Sequence, residues 1–265
     1  MDPLTHLMQR YCFGYTATHD FTVADQIMVE DYTFYMGEHK FTGREAAYKP
    51  AADRQFKAYP GLGFTVHDFF SNGDRCALDF SEHGHSVQYD ADTVWRGVSL
   101  YRWTGQLLSE CRIEQDYYGR RRQLNTRLPD PIAQPAYAPW SNPVLPANPA
   151  NEALVTDWLK SGSLLRSAVG SLDDESVAPT ISRAIFRDER VEVRDIMSAG
   201  DRLAFQIRID GTYEGGLAEL AGNEGVAAAL FATGTATIED GRIKKVRGVT
   251  DRYTMERRIL AANKR

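Results

Sequence analysis

A nineteen-residue stretch occurs twice in this chain, and it narrows the choice of fold more than any other feature. Val66–Gly84 reads VHDFFSNGDRCALDFSEHG and Val193–Gly211 reads VRDIMSAGDRLAFQIRIDG, displaced by 193 − 66 = 127 residues without a gap. Val, Asp, Ser, the Gly-Asp-Arg triplet, Ala and the final Gly coincide. Each copy is a short run, a turn at Gly-Asp-Arg, then a longer alternating run. That is the pattern of a β-hairpin whose glycine takes an unusual φ. The match predicts a duplicated domain rather than two unrelated hairpins.

The chain, at 265 residues, has room for one large or two ordinary domains. With 43% hydrophobic and 25% charged residues it has a soluble globular composition. No apolar run approaches the roughly 18 to 20 residues of a membrane span. The start, MDPLTHLMQRY, lacks the basic and apolar regions of a secretion signal. The expectation is a cytoplasmic protein with no membrane partner. Net charge is −5 and the one dense basic cluster is Arg120–Arg122, which argues against nucleic acid as a partner. That cluster reads as a solvated helix end. Cys12, Cys76 and Cys111 lack metal-ligand spacing, and Cys76 reads as a buried thiol in a reducing compartment.

Residues 4–29 read as helical, with a break near His19-Asp20 and a second short helix through Ile27. Asp31–Tyr35 reads as a strand, residues 37–43 as a hairpin-like connection, and Arg44–Tyr59 as another helix. Strands follow around 64–71, 75–83, 94–103 and 107–117. The first half is thus helices followed by a four-strand antiparallel meander, α+β with segregated elements rather than alternating βαβ. Residues 128–149 hold seven of the eleven prolines, so this segment cannot be a helix or a central strand. It reads as a semi-rigid linker that packs through Tyr137 and Trp140. The predicted division is a first domain over 1–127, a linker over 128–149 and a second domain over 150–265. The second domain opens with NEALVTDWLKS and has strands near 190–197, 202–213, 230–238 and 242–252. Its first strand is either absent or Ile181–Phe186.

An ordered set of motifs carries a family resemblance. Gly43-Arg44-Glu45-Ala46 follows the first strand, and Tyr59-Pro60-Gly61-Leu62 precedes the long hairpin. Then come Arg96–Trp103 (RGVSLYRW) and Glu110–Leu124 (ECRIEQDYYGRRRQL). Over about 5–125 the chain resembles the nuclear-transport-factor-2-like superfamily, in its SnoaL-like polyketide cyclase branch. Residues 151–262 resemble it more loosely, through the hairpin and the VTDRYTMERRIL tail. The resemblance implies two tandem cone-shaped α+β barrels, each a curved antiparallel sheet wrapped over N-terminal helices. Members include cyclases, isomerases, dehydratases, epoxide hydrolases and non-catalytic binding modules, so fold does not settle function. Members often dimerise through the outer face of the sheet. A tandem pair is therefore expected to form an intrachain pseudo-dimer, with a homo-oligomer as a further expectation.

All six histidines and ten of thirteen tyrosines precede the linker, which favours the first half as the working one. In cyclases of this branch an acidic residue near the end of the last strand moves the proton, and Asp116 matches that position. Asp251 matches Asp116 in the second half, so the position is alternatively a shared structural cap. Alternation places Arg112, Glu114 and Asp116 on one face, where paired carboxylates can separate their pKa values or be neutralised by Arg112. Tyr11, in Gln9-Arg10-Tyr11, resembles the oxyanion-stabilising tyrosine of ketosteroid isomerases. The general base of those isomerases ends the first strand, where this chain has Tyr35 and Met36. His83 and His85 share one strand face, opposite Cys76, Leu78, Phe80 and Glu82. If the cavity lies on the apolar face, Glu82 points in and the histidines point out; a bulge near Gly84 inverts this. Catalytic candidates are Asp116, Tyr11, His83 and Glu114. Tyr15, Tyr35, Phe80, Trp95, Tyr101 and Arg112 are candidates for substrate binding.

The expected function is a cofactor-independent acid/base lyase or isomerase with no metal, acting on a hydrophobic aromatic or polycyclic small molecule. Cyclisation, isomerisation, dehydration and retro-aldol cleavage all fit. The alternative is a non-catalytic small-molecule binding or scaffold protein.

Overall fold

The computed structural model describes residues 2–177 and 183–262. Helix α1 (Pro3–Gln9) starts on Asp2, whose carboxylate accepts the Thr5 backbone N–H at 2.9 Å. It continues into a wide π-helical turn, Arg10–Thr16. Helix α2 (Phe21–Ile27) is capped by Asp20 in the same way. Strands β1 (Met28–Met36) and β2 (His39–Thr42) form a hairpin, followed by α3 (Lys49–Ala58). Then come β3 (Gly63–Ser71), β4 (Arg75–Ser86), β5 (Ala91–Trp103), β6 (Leu108–Gln115) and helix α4 (Tyr117–Thr126). The sheet order is β2-β1-β6-β5-β4-β3. It contains the expected meander, but β1 pairs parallel to β6, so the sheet is mixed.

The second unit comprises α5 (Pro149–Lys160), α6 (Ser163–Arg166), β7 (Gly170–Leu172), β8 (Ile185–Ala199), β9 (Arg202–Gly215), β10 (Ala227–Glu239), β11 (Arg242–Thr250) and α7 (Arg252–Ala262). Its order is β7-β11-β10-β9-β8, with β7 parallel to β11. Of the expected Ile181–Phe186 strand, Ile181 and Ser182 lie outside the described residues, and β8 begins at Ile185.

The repeated hairpin is the same object twice. Val66 faces Phe80 and Asp68 faces Asp79, with a register shift at His67. Val193 faces Ile207 and Asp195 faces Gln206, with the shift at Arg194. The bulge and the register thus repeat with the 127-residue offset. The turn glycines Gly73 and Gly200 have φ of +92° and +62°, which glycine adopts without the Cβ penalty.

Strict alternation gives each sheet an inner and an outer face. Cys76, Leu78 and Phe80 join the core of the first unit, while Phe205, Ile207 and Ile209 join that of the second. The outer faces meet. Phe70, Ala77 and Leu100 pack with Met197, Ala199 and Ala204. Thr233 Oγ1 donates to the Val98 carbonyl at 2.8 Å and accepts the Glu114 N–H at 3.1 Å. Asp195 is buried among Arg75, Arg102 and Arg112. Between α4 and α5 the proline-rich segment follows edge strand β3. Ala136 N–H donates to the Val66 carbonyl at 2.9 Å, and Trp140 packs 4.9 Å from the Phe69 ring. Tyr137, expected to pack as well, is fully exposed.

One inner-face contact sets a tight limit. A Cβ at Gly97 would lie 2.4 Å from Phe80 Cζ. Gly97→Ala is therefore expected to lose about 1–3 kcal/mol in urea unfolding, because the methyl group drives the ring out of its stacked place against Phe64. An unchanged midpoint would show that Phe80 is free to rotate away.

Candidate active site

The inner face of the first sheet, the π-helical turn Arg10–Thr16 and helix α3 line a cavity of about 180 Å³. Its wall is aromatic: Tyr11 and Tyr15 from the first helical segment, Tyr48 and Phe56 around α3, Phe64 and Phe80 from β3 and β4. The Phe64 and Phe80 rings stack at 4.7 Å. Among the described residues, one acidic side chain lines this space, Glu82.

Glu82 is there because β4 alternates, two residues beyond Phe80. Three donors converge on its Oε2: Gln55 Nε2 at 2.7 Å, Trp95 Nε1 at 3.0 Å and Gln115 Nε2 at 3.1 Å. Its Oε1 has no hydrogen-bond partner among the described residues. Burial pushes the Glu82 carboxyl up to about 7, opposed by the hydrogen bonds and the Arg120 charge. Arg120 stands over the Trp95 and Tyr117 rings, at 4.8 and 4.1 Å from their centroids.

The cavity phenols remain protonated. Burial raises Tyr11 and Tyr15, and each is raised further by a neighbour, Cys111 and Tyr48 respectively. The Tyr15 hydroxyl is buried without a hydrogen bond of ordinary geometry. It is a donor in search of an acceptor. A cavity of this kind can hold a small aromatic ring, present a phenol O–H to its oxygen, and offer a carboxylate that changes charge near neutrality.

The sequence-selected residues separate into three places. Tyr11, Tyr15 and Phe80 line the cavity. Trp95 and Tyr101 lie buried behind it; Trp95 orients Glu82, and Tyr101 meets Tyr11 edge-on at 5.4 Å. Tyr35, Arg112, Glu114 and Asp116 lie on the outer side. Arg112 stands over the Tyr35 ring at 4.1 Å and donates to Gln206 Oε1 at 3.1 Å. His83 is also on the outer face, 3.2 Å from Thr65 Oγ1, and burial lowers its pKa. His85 is exposed beside Asp92, at 2.9 Å. Asp116, Tyr11 and His83 therefore do not converge on one cavity. The reason is parity: Glu114 and Asp116 have the opposite facing to Ile113 and Gln115, and His83 the opposite facing to Glu82.

The outer carboxylates belong to contacts between the units. Asp116 caps α4, accepting the Gly119 N–H at 2.9 Å, and receives Arg252 Nη2 at 2.9 Å. Arg252 also meets Asp173 at 3.1 Å and Asp174 at 2.8 Å. Burial raises Asp116, with Arg252 opposing. Glu114 accepts the Gly37 N–H at 2.8 Å and is pushed up by burial and by nearby Asp251. Asp251 precedes α7 as Asp116 precedes α4, and its Oδ1 accepts the Phe231 N–H at 2.7 Å. The arginine cluster is not a solvated helix end. Arg121 pairs with Glu256 at 2.5 Å, and Arg122 pairs with Asp130 and Asp174.

Among the described residues the second unit has no counterpart to the Glu82 site. With the same 127-residue offset, Ile209 stands where Glu82 does, and it faces Leu230 across the strands as Glu82 faces Trp95. The sequence pointed to Glu82 only through its parity with Phe80. Gln55 and Gln115 carry no signal of their own, since their role depends on α3 and β6 meeting at one carboxylate. Among the described residues no group of three His, Cys, Asp or Glu side chains could hold a metal, and no helix is long and apolar enough to cross a membrane.

Comparison with known proteins agrees with this architecture. Residues 9–111 match the family described as SnoaL-like domain, and residues 177–259 match SnoaL-like polyketide cyclase. No curated protein matches the chain. Among solved structures, one described as a SnoaL-like polyketide cyclase from Shewanella denitrificans is 19% identical, with 47% of this chain and 98% of that one covered and a TM-score of 0.41. A protein described as a polyketide cyclase from Acidithiobacillus ferrooxidans is 15% identical, with 46% and 94% covered and a TM-score of 0.41. A protein with a ketosteroid isomerase-like fold from Catenulispora acidiphila, in complex with trimethylamine, is 15% identical, with 45% and 92% covered and a TM-score of 0.41.

Proposed function

Since this chain belongs to the SnoaL-like family in both halves, a tandem of two units of the nuclear-transport-factor-2-like superfamily, we propose that its first unit is a proton-transfer enzyme for a small aromatic carbonyl compound. The observation that carries this reading is Glu82, a buried carboxyl moved up to about 7 inside an aromatic cavity. Above that pH its free Oε1 takes a proton from the carbon beside a substrate carbonyl. The Tyr15 hydroxyl, with Tyr11 beside it, donates to the oxygen on which negative charge develops. Glu82 then returns the proton at another position, which makes the step an isomerisation or the first half of a cyclisation or elimination. The volume of about 180 Å³ suits a single ring, since an apolar cavity of roughly 150 Å³ accepts benzene. A polycyclic substrate would need the cavity to open.

The second unit serves as the partner in an intrachain pseudo-dimer. Its buried Ile209 and Leu230 fill the place of Glu82 and Trp95, and its outer face covers Glu114 and Ala77. Solvent-deuterium exchange tests the reading without the natural substrate. An aryl methyl ketone of one ring, incubated with the protein in D2O, is expected to exchange its methyl protons faster than the buffer allows, with the rate rising through about pH 7. No acceleration at any pH, with the ketone bound, would leave a binding module. Asp116→Asn, which keeps the helix cap, is expected to change this rate by less than about threefold; a loss of about 100-fold would move the proton carrier to Asp116.

A further inference from the structure

A second cavity, of about 220 Å³, lies between the outer faces of the two sheets, and its walls are polar. Strands β3 to β5 form one side, β10 and β11 the other. The carboxylates on the wall are already taken. Asp79 holds Arg96 through two bonds, at 2.7 and 2.6 Å, and Asp68 pairs with Arg202. His67 is occupied at both ring nitrogens, by the Gln134 carbonyl at 3.0 Å and Ser81 Oγ at 2.7 Å.

Two cations on the wall of β11 have no such partner. Lys245 makes no ion pair among the described residues. Arg247 is buried to 6% exposure and makes no ion pair there either. Its terminal nitrogens reach the Ser171 hydroxyl, at 3.1 Å, and the Asp173 backbone carbonyl. The Asp173 carboxylate itself is spent on Thr250 and Arg252. Arg247 Nε is buried with no hydrogen bond at all. Burial, and Arg96 nearby, push this guanidinium down to about 10, with the charges of Asp79, Asp173 and Asp116 opposing but not offsetting them. A buried cation is normally matched by a counter-charge, because leaving it alone is costly. The hydroxyl-bearing Thr235 and Thr237 complete the wall opposite Arg96. The space equals about seven water volumes at roughly 30 Å³ each, enough for a tetrahedral oxyanion with part of its hydration.

We propose that this inter-unit cavity binds a small tetrahedral oxyanion, a phosphate or sulfate group, with Arg247 and Lys245 as its cationic ligands and Thr235 and Thr237 as hydroxyl donors. The ligand sits between the two units, since the wall comes from both, but the four groups that hold it all belong to the second unit. The site is separate from the Glu82 cavity and stands whether or not that cavity is catalytic.

Thermal unfolding of the full chain tests it, with inorganic phosphate or sulfate titrated at ionic strength held constant by potassium chloride. A saturable rise in Tm is expected for the oxyanions and none for chloride. Lys245 is exposed, so Lys245→Ala should fold, and it is expected to weaken the apparent affinity about tenfold. Thr235→Val is expected to weaken it as well, while the adjacent Lys244→Ala leaves it unchanged. Phenyl phosphate identifies the source: binding tighter than inorganic phosphate assigns a phosphate monoester, and the reverse assigns the free ion. Either supports the site. A rise that does not saturate, or one undiminished in Lys245→Ala, overturns it.

Discussion

Replacing Glu82 by Gln is expected to slow ketone proton exchange by about 100- to 10,000-fold while leaving ring binding intact. The variant preserves volume, and its carbonyl oxygen can still accept from Gln55, Trp95 and Gln115, so the cavity has no reason to collapse. What disappears is the proton-carrying group. The same substitution should stabilise the protein at alkaline pH. In the folded state the Glu82 carboxyl is raised from 4.5 to about 7. Between those values the native state holds a proton that the unfolded state has lost, so stability falls as pH rises through this window. Gln never bears the buried charge. At pH 8 Glu82→Gln is therefore expected to be more stable than the parent by on the order of 1–3 kcal/mol, with the gap closing by pH 5. Denaturant melts at both values measure it. Exchange retained at the parental rate would remove Glu82 from the chemistry. Loss of activity together with lost stability at pH 8 would instead indicate a structural carboxylate.

The largest effect on folding is expected at Arg252. Its guanidinium is 2% exposed and is ringed by Asp116, Asp173 and Asp174, at 2.9, 3.1 and 2.8 Å. Burial alone would lower its pKa, but the three carboxylates hold it well above its ordinary value. Arg252→Met keeps the packing volume and strips the cation from three buried acids. The expected cost is about 3–5 kcal/mol near pH 8. Asp173 is already raised to about 7 by burial with the arginine present, and Asp116 is raised as well; without the opposing Arg252 charge both rise further. A raised carboxyl favours the folded state below its unfolded pKa and loses that favour as pH rises through the folded value. The deficit of Arg252→Met should therefore shrink on acidification from pH 8 to pH 5. A deficit independent of pH would mean that packing, not charge, accounts for the loss. This cluster joins Asp116 of the first unit to Asp173, Asp174 and Arg252 of the second, so the variant also tests whether the units unfold together.

Parity along a strand explains both where reading the chain succeeds and where it fails. Cys76, Leu78, Phe80 and Glu82 share one face by alternation, and the structure keeps that face inward. The same alternation places Arg112, Glu114 and Asp116 together, and they are together. Whether a face looks into a cavity or toward a second sheet is not a local property. Asp116 and Glu114 resemble site residues because buried, partnered carboxylates serve interfaces as well as catalysis. The parallel pairing of β1 with β6 was likewise hidden, since its two strands lie about seventy residues apart and neither run encodes the direction of its neighbour.

The chain by itself determined the duplication. The turn glycines follow from local pattern; the register and the bulge at His67 and Arg194 came from the structure, and they recur with the 127-residue offset already visible in the letters. Only the tertiary structure decided which carboxylate enters the aromatic cavity and which cations lack an ion-pair partner among the described residues. Gln55, Trp95 and Gln115 come from three different elements to one oxygen, and Arg247 meets Arg96 only because two sheets face each other. Short-range periodicity selects a face. Burial, and with it the pKa of a carboxyl or the need of a guanidinium for a counter-charge, is set by whatever the rest of the chain brings against that face.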